Sequence, residues 1–283
     1  MPTFDAPDPI TVTIEVPFAN VHVIASERAD AVITVLPTEP ERSGSLRAVQ
    51  DVKVDQLGGS ITVTYPGSWK QYVRPFSAGT ADISVELPEG SVLHAKAGTV
   101  RTEGHLGAAD ITLAGGEARV QSVDRLALTV SAGSAMIDRI SGTASIKVSA
   151  GSLRIGRITG RATARVPNGT TTVDQVTGTL ELLGANGDMT VRYLDGQLEA
   201  RSSHADIRLD RLQGGDATLT TTFGSLEVGV PEGTATHVDL TTEHGTVRNL
   251  LTPTDGPVPH AATARLRAGT RYGDIMIQRP THL

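Results

Sequence analysis

Gly151-Ser152-Leu153-Arg154-Ile155-Gly156-Arg157-Ile158-Thr159-Gly160-Arg161-Ala162-Thr163-Ala164-Arg165-Val166-Pro167-Asn168 is one period of a repeat. Counted from its first glycine, apolar residues stand at +2, +4, +7, +11, +13 and +15: Leu153, Ile155, Ile158, Ala162, Ala164 and Val166. The preceding stretch, opening at Gly133, repeats the pattern as Ala135, Ile137, Ile140, Ala144, Ile146 and Val148. Within each half the alternation has a period of two, which marks a strand with one buried face. Outward from this pair the opening glycine returns at Gly98, Gly116, Gly169, Gly187, Gly224 and Gly245, with Ala205 in the same column. A second column runs through Gly107, Gly142, Gly160, Gly178, Gly196 and Gly214. A fixed period of about 18 residues signals a solenoid.

Strands a full turn of chain apart are too short to hairpin with each other, so each pairs in parallel with its equivalent one coil on, about 4.8 Å away. The expected fold is therefore all-β, a parallel β-solenoid (β-helix) with coils of about 18 residues. A left-handed hexapeptide helix shares the period but places an apolar residue inward every six positions, and the unequal gaps here do not. Three segments follow. Residues 1–97 form an irregular N-terminal β-region, continuous with the solenoid, that starts and caps it; strand character lies at 10–16, 21–25, 31–36, 61–65, 83–87 and 92–95. Residues 98–250 are the regular coils. Residues 251–283 are a proline-rich excursion and a final coil containing Gly273, Ile275 and Ile277.

Composition narrows the function classes. Aromatics are 3% of the 283 residues, so small and β-branched side chains must fill the interior. The net charge of −6 is spread without blocks, which points away from nucleic acid and from an electrostatically bound membrane surface. No run approaches the length of a transmembrane helix, and residues 1–9 lack the basic and apolar regions of an export signal, which predicts a cytoplasmic location. There is no cysteine. Neither a phosphate-binding glycine loop nor a serine-nucleophile or zinc-protease motif occurs, and the sequence calls for no cofactor, no metal and no catalytic residue.

Function is then sought on the outer columns, where parallel stacking repeats one chemical group in every coil. Just before the corner glycine stand His204, Phe223, His244 and Tyr272, expected to align in successive coils. They read either as an aromatic stack stiffening this part of the chain or as a platform for a ring-shaped ligand or partner. Trp69, Tyr72 and Phe76 gather three of the nine aromatics into eight residues between prolines, as a cap plug or an exposed interface anchor. Glu181 and Glu199 stack in adjacent coils, a solvated ladder or, read more sharply, the carboxylate pair of a retaining glycosidase. Lys147, Arg165 and Arg201 share a basic column. His237 and Asp239, beside Val238 and Leu240 expected to be buried, lie near Glu243 and His244 and offer ligands to a metal, though at no closed-site spacing.

Several stretches together resemble the bacterial β-strand-repeat family known as "putative adhesin", a domain of unknown function. They are Phe4, Pro7, Pro9 and Ile10 at the opening, Gly67-Ser68-Trp69-Lys70-Gln71-Tyr72, Glu86-Leu87-Pro88-Glu89-Gly90-Ser91, the repeated Gly-x-x-x-Ile/Val units, and Thr270-Arg271-Tyr272-Gly273-Asp274-Ile275. The resemblance covers essentially the whole chain, supports the solenoid and implies no catalytic residue. The leading expectation is a non-catalytic scaffold that binds a protein partner. The alternatives are a structural element that self-associates through its ends and a carbohydrate-active β-helix enzyme.

Overall fold

The computed structural model describes residues 3–39, 41, 45, 49–65, 80–251 and 262–280. The chain is all-β and divides into two compact units, Met1–Ile137 and Asp138–Leu283.

In the second unit the repeat appears as parallel pairing in steps of one period. The end of β10 (Gly116–Ile158) pairs with β11 (Arg161–Val176), Thr143 standing opposite Arg161 and Ile158 opposite Val176. In turn β11 pairs with β12 (Thr179–Asn186) and β13 (Met189–Arg201). Beyond these, β13 pairs with β14 (Ile207–Leu209) and β15 (Leu212–Phe223), and β14 with β16 (Leu226–Gly229). The inward set is fully buried: Ile140, Val148, Ile155, Ile158 and Ala164 are all 0% exposed, while Lys147 and Arg165 lie outside. Facing alternates as the period of two requires.

The last layers do not follow chain order. β19 (Ala262–Tyr272) pairs on one side with β15, Ala217 opposite Leu266, and on the other with β17 (Thr234–His244), Val238 opposite Leu266. Likewise β20 (Ile275–Gln278) lies between β16 and β18 (Val247–Asn249). The final coil is thus inserted one layer inside, and β17–β18 is the outer layer. Val238 and Leu240, expected to be buried, are only half-buried for this reason, whereas Leu266 and Ala268 on β19 are 0% and 1% exposed.

The glycine corners record the same order. Gly169 has φ +142°, and a Cβ there would lie 1.7 Å from the carbonyl oxygen of Gly151, so the layers approach too closely for any side chain. A Cβ on Gly273 would strike the carbonyl of Gly224, and one on Gly245 the carbonyl of Gly273. In the second column, a register shift between Leu194 and Asp195 moves the corner from Gly214 to Gly215, a one-residue bulge.

The first unit mixes parallel and antiparallel pairing. β2 (Thr11–Glu15) is flanked in parallel by β6 (Ser60–Thr64) and β8 (Val92–Ala97), and β3 (Asn20–Ser26) by β7 (Ala81–Pro88) and β9 (Thr99–Leu113). Here too an early layer is enclosed by later ones. β4 (Asp30–Pro37) runs antiparallel to β7 and to β1 (Thr3–Asp5), and β5 (Lys53–Leu57) antiparallel to β6. Those antiparallel strands are why the N-terminal sequence loses its period. Within the same unit β9 continues in parallel to Val130 of β10, across a bulge between Val120 and Ser122.

Candidate functional site

The most distinctive surface of the second unit is a column of aromatic rings. His204 stacks on Phe223 at 4.8 Å between centroids, Phe223 on Tyr272 at 4.9 Å, and Tyr272 on His244 at 4.7 Å, with interplanar angles of 8°, 5° and 15°. All four candidate residues come together, but in the order His204, Phe223, Tyr272, His244, because β19 lies between β15 and β17. The expected alignment in successive coils is corrected accordingly. Below His204 the column continues as Asn186, whose Nδ2 donates to Asn168 Oδ1 at 3.0 Å.

Strand spacing explains the stack: side chains at one register position in parallel strands sit about 4.8 Å apart, close to the separation of offset-stacked rings. Threonines fix the backbone beneath it. Thr221 donates its hydroxyl to the Ala205 carbonyl, Thr270 to that of Gly224 and Thr242 to that of Gly273. Because ring faces are turned to one another, the column offers solvent its edges. Phe223 and Tyr272 remain 44% and 43% exposed along those edges. A flat ligand therefore finds no free face on the inner rings, and the platform reading is confined to the outer face of His244.

The other candidates fare differently. Trp69, Tyr72 and Phe76 lie outside the described residues. Glu181 and Glu199 stand opposite each other on β12 and β13, yet each is engaged: Thr163 Oγ1 donates to Glu181 at 3.3 Å and Arg201 pairs with Glu199. Leu183 separates Arg165 from Arg201 in the basic column. Asp239 pairs with Arg267 at 3.3 Å and Glu243 with Arg271 at 2.9 Å, while His244 is held by Tyr272. Among the described residues no group of three or more histidines, cysteines and carboxylates is placed to hold a metal.

A groove of about 330 Å³, lined by Arg208, Asp210, Glu227 and Gln278 among others, was not foreseen from the sequence. Its charges satisfy each other. Arg208 bonds Asp210 and, at 2.7 Å, Glu227, which also accepts from Gln278 Nε2 at 2.8 Å. The hydrogen bond that Arg208 donates to Asp210, more than the attraction of Glu227, raises the pKa of the Arg208 guanidinium. In the first unit, Arg28 holds Asp30 and Glu86 together and draws the Asp30 carboxyl below its ordinary value, chiefly by a hydrogen bond. Asp210 and Asp30 lie two residues from their arginines, whereas Glu227, Gln278 and Glu86 come from strands distant in sequence, and only the outward strand positions hinted at those. Among the described residues no helix is long and apolar enough to cross a membrane.

The chain is all-β, and many of its strands pair in parallel with a strand one repeat on. It belongs to the Toastrack DUF4097 family, whose model matches residues 11–277. No curated protein matches the chain. Among solved structures it is similar to a "putative adhesin" from Parabacteroides merdae, at 12% identity and TM-score 0.45, with 97% of this chain and 95% of that one covered. It is also similar to a "putative lipid binding protein" from Parabacteroides distasonis, at 13% identity and TM-score 0.39, with 97% and 95% covered. A third, a "putative adhesin" from Bacteroides fragilis, has 11% identity and TM-score 0.28, with 98% and 95% covered.

Proposed function

We propose that the chain is a parallel β-solenoid scaffold without a catalytic role, and that its exposed ring edges form a docking surface for a protein partner. The solenoid reading is supported by residue-by-residue parallel pairing in steps of 18, as from Thr143 to Arg161 to Thr179. The observation that carries the binding role is the exposure of Phe223 and Tyr272 in a rigid column. Aromatic rings are enriched in protein interfaces, and rings already ordered by stacking lose little conformational freedom on binding. Asp239 and Glu243, neutralised by Arg267 and Arg271 of the neighbouring strand, have the character of ladders that hold layers together, and Glu199 is neutralised by Arg201 of its own strand.

Photo-crosslinking in the native cell tests this reading. A crosslinking residue at Tyr272 captures a discrete protein partner, whereas one at Arg165, on the outer face away from the rings, captures none. Identical products from both positions refute the docking surface. Cleavage of a polysaccharide that is lost in Glu181→Gln refutes the non-catalytic role.

A further inference from the structure

We propose that the free edge of β17 is a self-docking strand, through which two copies of the chain pair antiparallel about a twofold axis. This goes beyond the partner-binding role and stands or falls separately from it.

The edge exists because β19 is inserted beneath β17. The His244 carbonyl accepts from Gly273 N at 3.0 Å and the Thr246 carbonyl from Ile275 N at 2.9 Å, so even-numbered residues of this layer turn their peptide groups inward. Alternation then directs those of Ala235, His237, Asp239, Thr241 and Glu243 outward. Among the described residues no strand takes up these groups. Thr234–His244 contains no proline, no lysine and no bulge to block pairing, and its two carboxylates, Asp239 and Glu243, are already paired with Arg267 and Arg271. By contrast, the antiparallel strands of the first unit, β1 and β5, are three and five residues long.

Burial and charge indicate what covers the edge. Thr236, Val238, Leu240 and Thr242 are half-buried, although their partners on β19, Ala264, Leu266, Ala268 and Thr270, are 7%, 0%, 1% and 5% exposed. Beside them Val247 and Leu250 are 41% and 62% exposed. One further layer would complete the burial.

A second copy supplies it with matched charge. Outward peptide groups must face outward peptide groups, so the twofold passes through a residue of β17. Axes at Asp239 or Thr241 set carboxylate against carboxylate. Axes at Val238 or Leu240 instead place His237 against Asp239 or Glu243 of the other copy, twice, and bring a half-buried apolar side chain onto itself. Pairing of a surface with itself is isologous and closes at two copies.

Sedimentation velocity across about three decades of concentration tests this, with association strength read as Kd. The wild-type chain passes from monomer to dimer. Thr241→Pro removes one edge N–H that the monomer does not use, and His237→Glu opposes carboxylates about either favoured axis. Each weakens association about tenfold or more, with the circular dichroism spectrum unchanged. Should Thr241→Pro fail to fold, His237→Glu decides alone. The chain has no cysteine, so Leu240→Cys and Val238→Cys give clean probes. Even-numbered residues form the close, non-hydrogen-bonded pairs, where Cα atoms about 4.5 Å apart suit a disulfide. One of the two variants becomes a covalent dimer on mild oxidation. A monomer at every concentration, or a dimer that survives both edge variants, overturns the proposal.

Discussion

Replacing Tyr272 by alanine removes two ring contacts, because the ring lies between Phe223 at 4.9 Å and His244 at 4.7 Å. At about 0.5–1.5 kcal/mol per stacked pair, the stacking loss is about 1–3 kcal/mol, whereas His244→Ala loses one pair and about half as much. Chain order alone would reverse this: with the coils stacked as they occur in sequence, His244 would have two ring neighbours and Tyr272 one. The sharper comparison is a pair of double-mutant cycles measured by urea unfolding, since a cycle cancels the burial each ring loses by itself. Phe223→Ala with Tyr272→Ala yields a coupling of about 0.5–1.5 kcal/mol, and Phe223→Ala with His244→Ala yields about zero. A coupling between Phe223 and His244, with none between Phe223 and Tyr272, refutes the inserted layer.

Three further outcomes check other parts of the structure. Ile146→Asp places an unpaired carboxylate where the isoleucine is 1% exposed and costs several kcal/mol, about enough to unfold the unit; Arg165→Ala on the outer face changes stability by less than about 0.5 kcal/mol, and equal effects in thermal melts contradict the facing. Gly169→Ala forces a Cβ onto the Gly151 carbonyl at positive φ and lowers the melting temperature, while Gly59→Ala, with nothing within 4 Å of its Cβ, leaves it unchanged. The Asp30 carboxyl, held below its ordinary value by Arg28, gains its stabilising contact fully above the usual carboxylate range and loses it as pH falls through the depressed folded value. NMR titration of Arg28→Ala returns Asp30 to the ordinary range, and an unshifted titration refutes the pairing.

The coil itself was legible in the sequence because its inward set obeys one rule: Leu153, Ile155, Ile158, Ala162, Ala164 and Val166 are each buried as the period of two requires. Layer order was not, because β17 and β19 carry interchangeable patterns. Thr236, Val238, Leu240 and Thr242 alternate just as Ala264, Leu266, Ala268 and Thr270 do, and a stacking period cannot tell which similar strand is the neighbour. The only trace was composition, since the outer strand places threonine at two of four inward positions and the inner strand at one. For the candidate site, the column of His204, Phe223, Tyr272 and His244 was readable as a register position, but its sequence of contacts was inherited from the layer error. In the N-terminal region, strands with apolar alternation such as 21–25 and 83–87 stood out. Lys53–Leu57 did not: as a polar edge strand it buries none of its side chains fully.

Enclosing a layer has a physical consequence that can be measured. An outermost layer has one neighbour where an inner layer has two, so it opens first. Here β17–β18 is tethered at both ends, entering from β16 and returning toward β19, and its opening produces a closed loop instead of a free tail. For a loop of about 30 residues, closure withholds roughly 3 kcal/mol of the entropy a tail would gain. Hydrogen exchange at concentrations low enough to keep the chain monomeric therefore finds β17 amides less protected than β19 amides, although β19 comes later in sequence. A protease site inserted within 252–261 removes the tether when cut, and β17 protection then falls further, by an amount approaching that entropy, while β15 amides change little. Equal protection of β17 and β19 before cleavage, or no change in β17 after it, refutes the argument. The tether explains how an eleven-residue edge with one neighbour stays folded, and so how it remains available for a second copy.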